Sequence, residues 1–299
     1  MTVDTTLEIG TLRIGFQPTG PEAICRFTPP YASFLSGGAP DVVLDVHRAP
    51  PPLPGEGSLR FDTGTTWCMV EANGLLVIYG CAYDYIPERN RVGLVMTPDF
   101  SRGDLYVHRP EIDGGSGLEN PLRYPLDQVL TINLLAQGRG LMLHACSVLD
   151  EGRGYCFAGS SGRGKSTMAS LWDGEATILN DDRIILRPRG DGFWMYGTPW
   201  HGTYPALSSE GCPVDELFLL AHGPENVLRR LPPAEAAGRL LIASFPPLWD
   251  HDGMAWTLQL LDQLTASVPV YELIFRPDEA VIPFVRQAVR GHRDAPGPE

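Results

Sequence analysis

The chain has 299 residues, 43% of them hydrophobic, with 33 glycines and 28 prolines. That is enough apolar material for a sizeable core in a loop-rich globular protein of one large or two smaller domains. A formal charge of −13 and a pI near 4.9 exclude general affinity for nucleic acid or anionic membrane, because either would meet net repulsion.

The N-terminus, from Met1 to Glu8, has neither the basic segment nor the apolar stretch of a signal peptide, and no run in the chain has the length of a membrane helix, so the expectation is a cytoplasmic protein. From Thr11 to Pro110 short runs with the two-residue period of half-buried strands alternate with proline and glycine. They are Leu12–Phe16, Val42–Val46, Trp67–Val70, Leu75–Tyr79, Val92–Met96 and Leu105–His108. Ala49–Gly55 reads as a proline-rich loop among them. The small residues of Asp113–Gly117 mark a boundary, which divides the chain into a β-rich domain (1–115), a second domain (116–290) and a disordered tail (291–299). Leu126–Leu135 has helical spacing and Leu141–Val148 strand character. Six scattered cysteines, with no C-x-x-C pair, read as buried free thiols rather than zinc ligands.

The most specific feature lies at residues 159–167. Gly159-Ser160-Ser161-Gly162-Arg163-Gly164-Lys165-Ser166-Thr167 fits the phosphate-loop pattern G-x-x-x-x-G-K-[ST], between a strand-like run, Gly154–Ala158, and a helix-like one, Ser166–Trp172. Lys165 is the only lysine among 23 basic residues. A chain that otherwise uses arginine places here the compact ammonium that can reach between the β- and γ-phosphates of a nucleotide. Glycines let the backbone approach those phosphates, and the helix N-terminus complements their charge. Shortly after, the strand-like Ile178–Leu186 is interrupted by Asp181-Asp182. Beside such a loop, a carboxylate serves with the Ser166 hydroxyl to hold Mg²⁺, and a second can take the proton of an attacking hydroxyl. The predicted cofactors are therefore ATP and Mg²⁺.

These residues resemble the bacterial HPr kinase/phosphorylase family, whose nucleotide-binding core is shared with ATP-dependent phosphoenolpyruvate carboxykinase. Three elements carry the resemblance: His144 on the strand before the loop, the loop from Gly159 to Ser166, and Asn180-Asp181-Asp182-Arg183. It implies an α+β or α/β fold in which a β-rich N-terminal domain precedes a phosphate-loop domain of that type. It further implies Lys165 on the phosphates, Ser166 on magnesium, one of Asp181 and Asp182 as metal-binding group and the other as base, and His144 tuning that base. The implied function is Mg·ATP-dependent phosphoryl transfer to a hydroxyl, most naturally a serine on a peptide or protein. The alternatives are a small-molecule kinase with the same centre or an inactive nucleotide-binding regulatory module. HPr kinases are hexamers, so the resemblance allows for a homo-oligomer. The segment Tyr196–Gly202 departs from the family's phosphorolysis-associated signature and points away from HPr as substrate. Trp200 and His201 in this segment are candidates for the acceptor pocket. Arg229, Arg230 and Arg239 read mainly as solvated surface charges. Further on, Val214–Leu220 and Val270–Phe275 read as strands, Pro233–Leu241 and Ala255–Leu264 as helices.

Overall fold

A computed structural model of the chain describes residues 4–52, 57–80, 92–108 and 117–293. They form two compact units, Met1–Leu134 and Leu135–Glu299. Residues 113–116 of the expected boundary and the tail from 294 lie outside the described residues, as do 53–55 of the proline-rich loop. No helix among the described residues is long and apolar enough to cross a membrane.

The first unit is built on strands β1 (Thr5–Ile9), β2 (Leu12–Pro18), β3 (Cys25–Arg26), β4 (Leu35–Ser36), β5 (Val42–His47), β6 (Ser58–Asp62), β7 (Trp67–Ala72), β8 (Leu75–Gly80), β9 (Val92–Met96), β10 (Arg102–Val107) and β11 (Leu118–Glu119). Nine of them form one sheet in the order β4-β1-β2-β5-β10-β9-β8-β7-β6, and β11 pairs with β3. The alternation expected from the sequence is present: Leu12, Ile14 and Phe16, then Val42, Leu44 and Val46, are buried at every second position. Asn73 and Gly74, both at positive φ, close the β7–β8 hairpin.

Helix α1 (Leu126–Ala136) leads to the second unit, in which β12 (Leu141–Asp150) and β13 (Arg153–Ala158) pair antiparallel. The chain continues through α2 (Lys165–Trp172), β14 (Thr177–Asn180), β15 (Arg183–Arg189), β16 (Gly192–Tyr196), β17 (Gly211–Pro213), β18 (Glu216–His222), β19 (Val227–Arg230), α3 (Pro233–Ile242), α4 (His251–Ser267), β20 (Val270–Phe275) and α5 (Val281–Arg293). The strand order is β17-β16-β15-β12-β13-β18-β20-β19, with β14 also on β12. β13, β18 and β20 run parallel, and helices cover both faces. Ala158, Leu219 and Val270 share one core with Ala236 and Leu240 of α3 and Leu260 and Leu264 of α4. Phe157, Phe218 and Phe275 share the other with Met168 and Trp172 of α2 and Val281, Val285 and Val289 of α5. The mixed α/β class is as expected. Helix α5 is an addition, and it runs through 291–293, which the sequence assigns to the tail.

Packing explains why so short a helix as α2 forms. Two turns are too few to be stable alone, but Met168, Ala169 and Trp172 are fully buried against the sheet. Removing a buried tryptophan costs about 3–5 kcal/mol, so this side chain fixes the helix behind the glycine loop.

Candidate functional site

The site lies where β13 ends, at the carboxyl edge of the parallel strands, and every residue of it belongs to the second unit. Gly159–Gly164 link β13 to α2, the strand, loop and helix succession expected from the sequence. Gly162 and Gly164 have φ of +79° and +94°, a region that side chains disfavour. A Cβ at Gly164 would stand 2.7 Å from Phe275 Cζ and 2.8 Å from His222 Cε1. Glycine is needed there for conformation and for space.

Lys165 is 6% exposed. Its Nζ donates to the carbonyls of Gly159 (2.9 Å) and Ser160 (3.1 Å), so the ammonium lies in the mouth of the loop. Burial lowers its pKa to about 8, with Arg183 adding to the fall and Asp181 opposing it. It remains a cation at neutral pH, one that gives up hydration to sit there.

The two carboxylates have different surroundings. Asp181 is fully buried, and its Oδ2 accepts from Ser166 Oγ (2.7 Å) and the Tyr204 amide (3.0 Å), its Oδ1 from the Gly202 amide (2.6 Å). Asp182 faces the cleft, with Oδ1 2.7 Å from His144 Nε2 and Oδ2 paired with the Arg183 guanidinium. Burial first, then the cations Lys165 and Arg183, hold the His144 pKa down at about 4, against the pull of Asp181. The imidazole is therefore neutral at pH 7, and its contact to Asp182 is an N–H donated to a carboxylate. Phe245 packs beside both partners, its ring centroid 5.9 Å from that of His144 and 5.0 Å from the Arg183 guanidinium carbon.

Asn180 shapes the turn that separates these roles. Its buried Oδ1 accepts from the amides of Asp182 (2.8 Å) and Arg183 (2.9 Å), and its Nδ2 donates to the Thr198 carbonyl. Thr198 Oγ1 donates in turn to the Arg183 carbonyl. The backbone amide of Gly159 donates to the His144 carbonyl, which ties β12 to the start of the loop.

His144, Lys165, Ser166 and Asp182 line one cleft of about 360 Å³, together with Ser161, Gly162, Gly164, Thr167, Gly202, Thr203 and His222. The fold thus brings most of the expected residues together, while Asp181 is buried behind Ser166 and the loop residues Gly159, Ser160 and Arg163 line a separate cavity. Trp200 is buried at 7% exposure, His201 is exposed with Nδ1 3.0 Å from the Gly202 carbonyl, and neither lines the cleft; their neighbours Gly202 and Thr203 do. His222 is not singled out by any pattern in the sequence. Its Nε2 lies 3.1 Å from the Gly162 carbonyl at the end of β18, and only the parallel pairing of β18 with β13 puts it beside the loop. The signal that could have found it is the general placement of ligands at the carboxyl ends of parallel strands.

Of the six cysteines expected to be buried, Cys68, Cys146, Cys156 and Cys212 are, Cys25 is half-buried, and Cys81 lies outside the described residues. Burial pushes the thiols of Cys146 and Cys156 far up and that of Cys212 to about 12, which leaves none of these three reactive.

The donor set around Ser166 can be weighed against magnesium. Among the described residues no three His, Cys, Asp or Glu side chains form a metal-holding group. Mg²⁺ ordinarily takes only one or two protein oxygens and completes its shell with water and phosphate. Ser166 lines the cleft and donates its proton to Asp181, which leaves the oxygen lone pairs for the cleft side. Ser166 offers such an ion a hard oxygen on the cleft, and the buried Asp181, which already accepts from three donors, backs that hydroxyl.

No protein-family model matches the chain, and no curated protein does. Among solved structures it is similar to the Hpr(Ser) kinase/phosphatase from Coxiella burnetii, at 14% identity over 51% of this chain and 90% of that chain, with a TM-score of 0.30. That is a distant structural likeness and no more.

Proposed function

We propose that the chain is a Mg·ATP-dependent kinase that transfers the γ-phosphoryl group to a hydroxyl acceptor, a serine on a peptide or protein being favoured. One observation carries the reading. The Ser166 hydroxyl rests on a fully buried Asp181 while the neighbouring Asp182 faces the same cleft as Lys165. Two adjacent acids divided in this way, one holding the loop hydroxyl and one presented to the cleft between His144 and Arg183, suit phosphoryl transfer.

In this reading Lys165 leaves the loop carbonyls for the phosphates, and the first-turn amides of α2, which lack intrahelical acceptors, add to their binding. Magnesium, when bound, neutralises phosphate charge, held by Ser166 with Asp181 backing that hydroxyl. Asp182 accepts the acceptor's hydroxyl proton as that oxygen bonds to the γ-phosphorus and the bond to the β-phosphate oxygen breaks, releasing ADP. His144 and Arg183 orient Asp182. The chemistry is positioning and charge neutralisation, without a covalent enzyme intermediate.

The test uses γ-labelled ATP and Mg²⁺ with size-fractionated extract as the source of acceptors. Transfer should vanish in Lys165→Ala. It should fall about 10²–10⁴-fold in Asp182→Asn, the usual span for a lost general base, with ATP affinity nearly retained. Label confined to small molecules would turn the reading to a small-molecule kinase. ATP binding with no lysine-dependent transfer would replace it with a regulatory nucleotide-binding module.

A further inference from the structure

A second cavity of about 290 Å³ flanks the other side of the glycine loop. Its floor is apolar, formed by Ala158, Leu219, Leu220 and Ala243, and Gly159 and Ser160 separate it from Lys165. Two guanidiniums and the Glu272 carboxylate line it, and the guanidiniums differ. Arg239 is taken up by Glu272 (2.8 Å) and Glu235 (3.5 Å). Arg163 is exposed, and among the described residues its guanidinium has no ion-pair partner. Its stem folds back over Gly159, where an added Cβ would stand 3.0 Å from Arg163 Cβ. At the mouth, Ile242 is 79% exposed, an apolar side chain left in water.

The cavity adjoins the chemistry. Its wall residues Gly159 and Ala243 bond through the backbone to His144, at 3.1 Å and 2.8 Å, and His144 holds Asp182. At the low end of ligand-site volumes, the cavity suits a side chain or two of a larger acceptor rather than a whole nucleotide. In a chain of net charge −13, a free cation above an apolar floor beside the loop is a local exception to the surrounding charge.

Resting on the kinase reading above, we infer that this cavity is the acceptor subsite and that Arg163 receives a carboxylate next to the acceptor hydroxyl. The substrate class is then a serine in an acidic peptide segment. An apolar portion of the same segment covers Ile242 and the cavity floor.

The experiment measures binding of a short fluorescent serine peptide flanked by glutamates, with glutamine-flanked and lysine-flanked counterparts. Full-length protein is used with Mg²⁺ and a non-hydrolysable ATP analogue, and the nucleotide affinity of every variant is measured alongside. The glutamate peptide should bind about tenfold more tightly than the glutamine peptide, the contribution of one charge-assisted hydrogen bond. Arg163→Ala should abolish that difference, Arg163→Lys should keep part of it, and Arg163→Glu should turn the preference toward the lysine peptide. Added salt should shrink it. Equal binding of the three peptides by the wild type, or an acidic preference that survives Arg163→Ala, overturns the inference. So does a variant that loses nucleotide affinity and retains the peptide preference, which would make Arg163 a nucleotide contact. The two readings fail separately. An Arg163-dependent acidic preference without phosphoryl transfer keeps the subsite and removes the kinase. Lysine-dependent transfer without charge preference does the reverse.

Discussion

Replacing Lys165 by methionine should abolish transfer and, in the absence of nucleotide and magnesium, make the protein more stable. The ammonium is almost wholly buried, and burial draws its pKa from 10.5 to about 8. Each tenfold change in proton affinity corresponds to about 1.4 kcal/mol, so keeping this group charged costs the folded state about 3 kcal/mol. Methionine keeps the length of the stem without the charge. It forfeits the hydrogen bonds to the Gly159 and Ser160 carbonyls, a loss of about 1 kcal/mol or more. The net expectation is a gain of about 1–2 kcal/mol at pH 7. The sign of the pH dependence is set by the depressed value. Below about pH 8 folded and unfolded chains both carry the proton, and the full penalty is present. Between about 8 and 10.5 the unfolded chain retains a proton that the folded chain has released, so wild-type stability rises with pH. Above 10.5 the penalty is gone. Urea unfolding followed by tryptophan fluorescence should show the variant's advantage at pH 7 and its decline toward pH 10. A variant less stable than wild type at pH 7, or an advantage unchanged with pH, would refute the account of a desolvated cation held for function.

Gly164→Ala should cost about 1–3 kcal/mol for the positive φ it forces on a side chain, with further strain against Phe275 and His222. It should also weaken nucleotide binding at least about tenfold, one misplaced charge-assisted contact; wild-type affinity by titration with a fluorescent ATP analogue would show that the loop tolerates a Cβ. Arg286→Met removes the bidentate partner, at 2.8 and 2.9 Å, of an Asp150 that is 2% exposed. Leaving that carboxylate buried and unpaired should cost about 3 kcal/mol in urea unfolding, and adding Asp150→Asn should recover part of it; strict additivity of the two losses would contradict the pairing. His144→Gln should blunt acid destabilisation. The wild type loses stability as pH falls from 6.5 toward about 4, because the unfolded imidazole takes up a proton that the folded one resists. Parallel pH profiles of the two proteins would place the effect elsewhere.

The candidate site is legible in the sequence to the extent that its chemistry is local. A lone lysine in a glycine-punctuated segment between a strand-like and a helix-like run states its own conformation, since the glycines allow the positive φ that Gly162 and Gly164 adopt. The strands Val92–Met96 and Val270–Phe275 are legible at their observed bounds because period and turn signals flank them. Helix α5 is not. Proline at 283 lies in its first turn, and its buried valines gain meaning only against the sheet they cover. The short strands β16 and β17 are equally hidden, since they depend on partners in the sheet more than on their own propensity.

The sequence by itself determined that a phosphate-type loop is followed closely by two adjacent acids, and that the chain is mixed α/β. It left those acids interchangeable. Only the tertiary structure separated them. The Asn180 side chain bends the backbone between β14 and β15, which turns Asp181 inward to Ser166 and the amides of Gly202 and Tyr204 and leaves Asp182 with His144 on the cleft. The same holds for His222, for the burial of Trp200, and for the cavity beneath Arg163, which exists because β13, β18 and α3 meet there. The physical reason is common to all of them. A motif specifies which groups are available, whereas burial, hydrogen-bond partners and pKa depend on segments brought together across long stretches of chain.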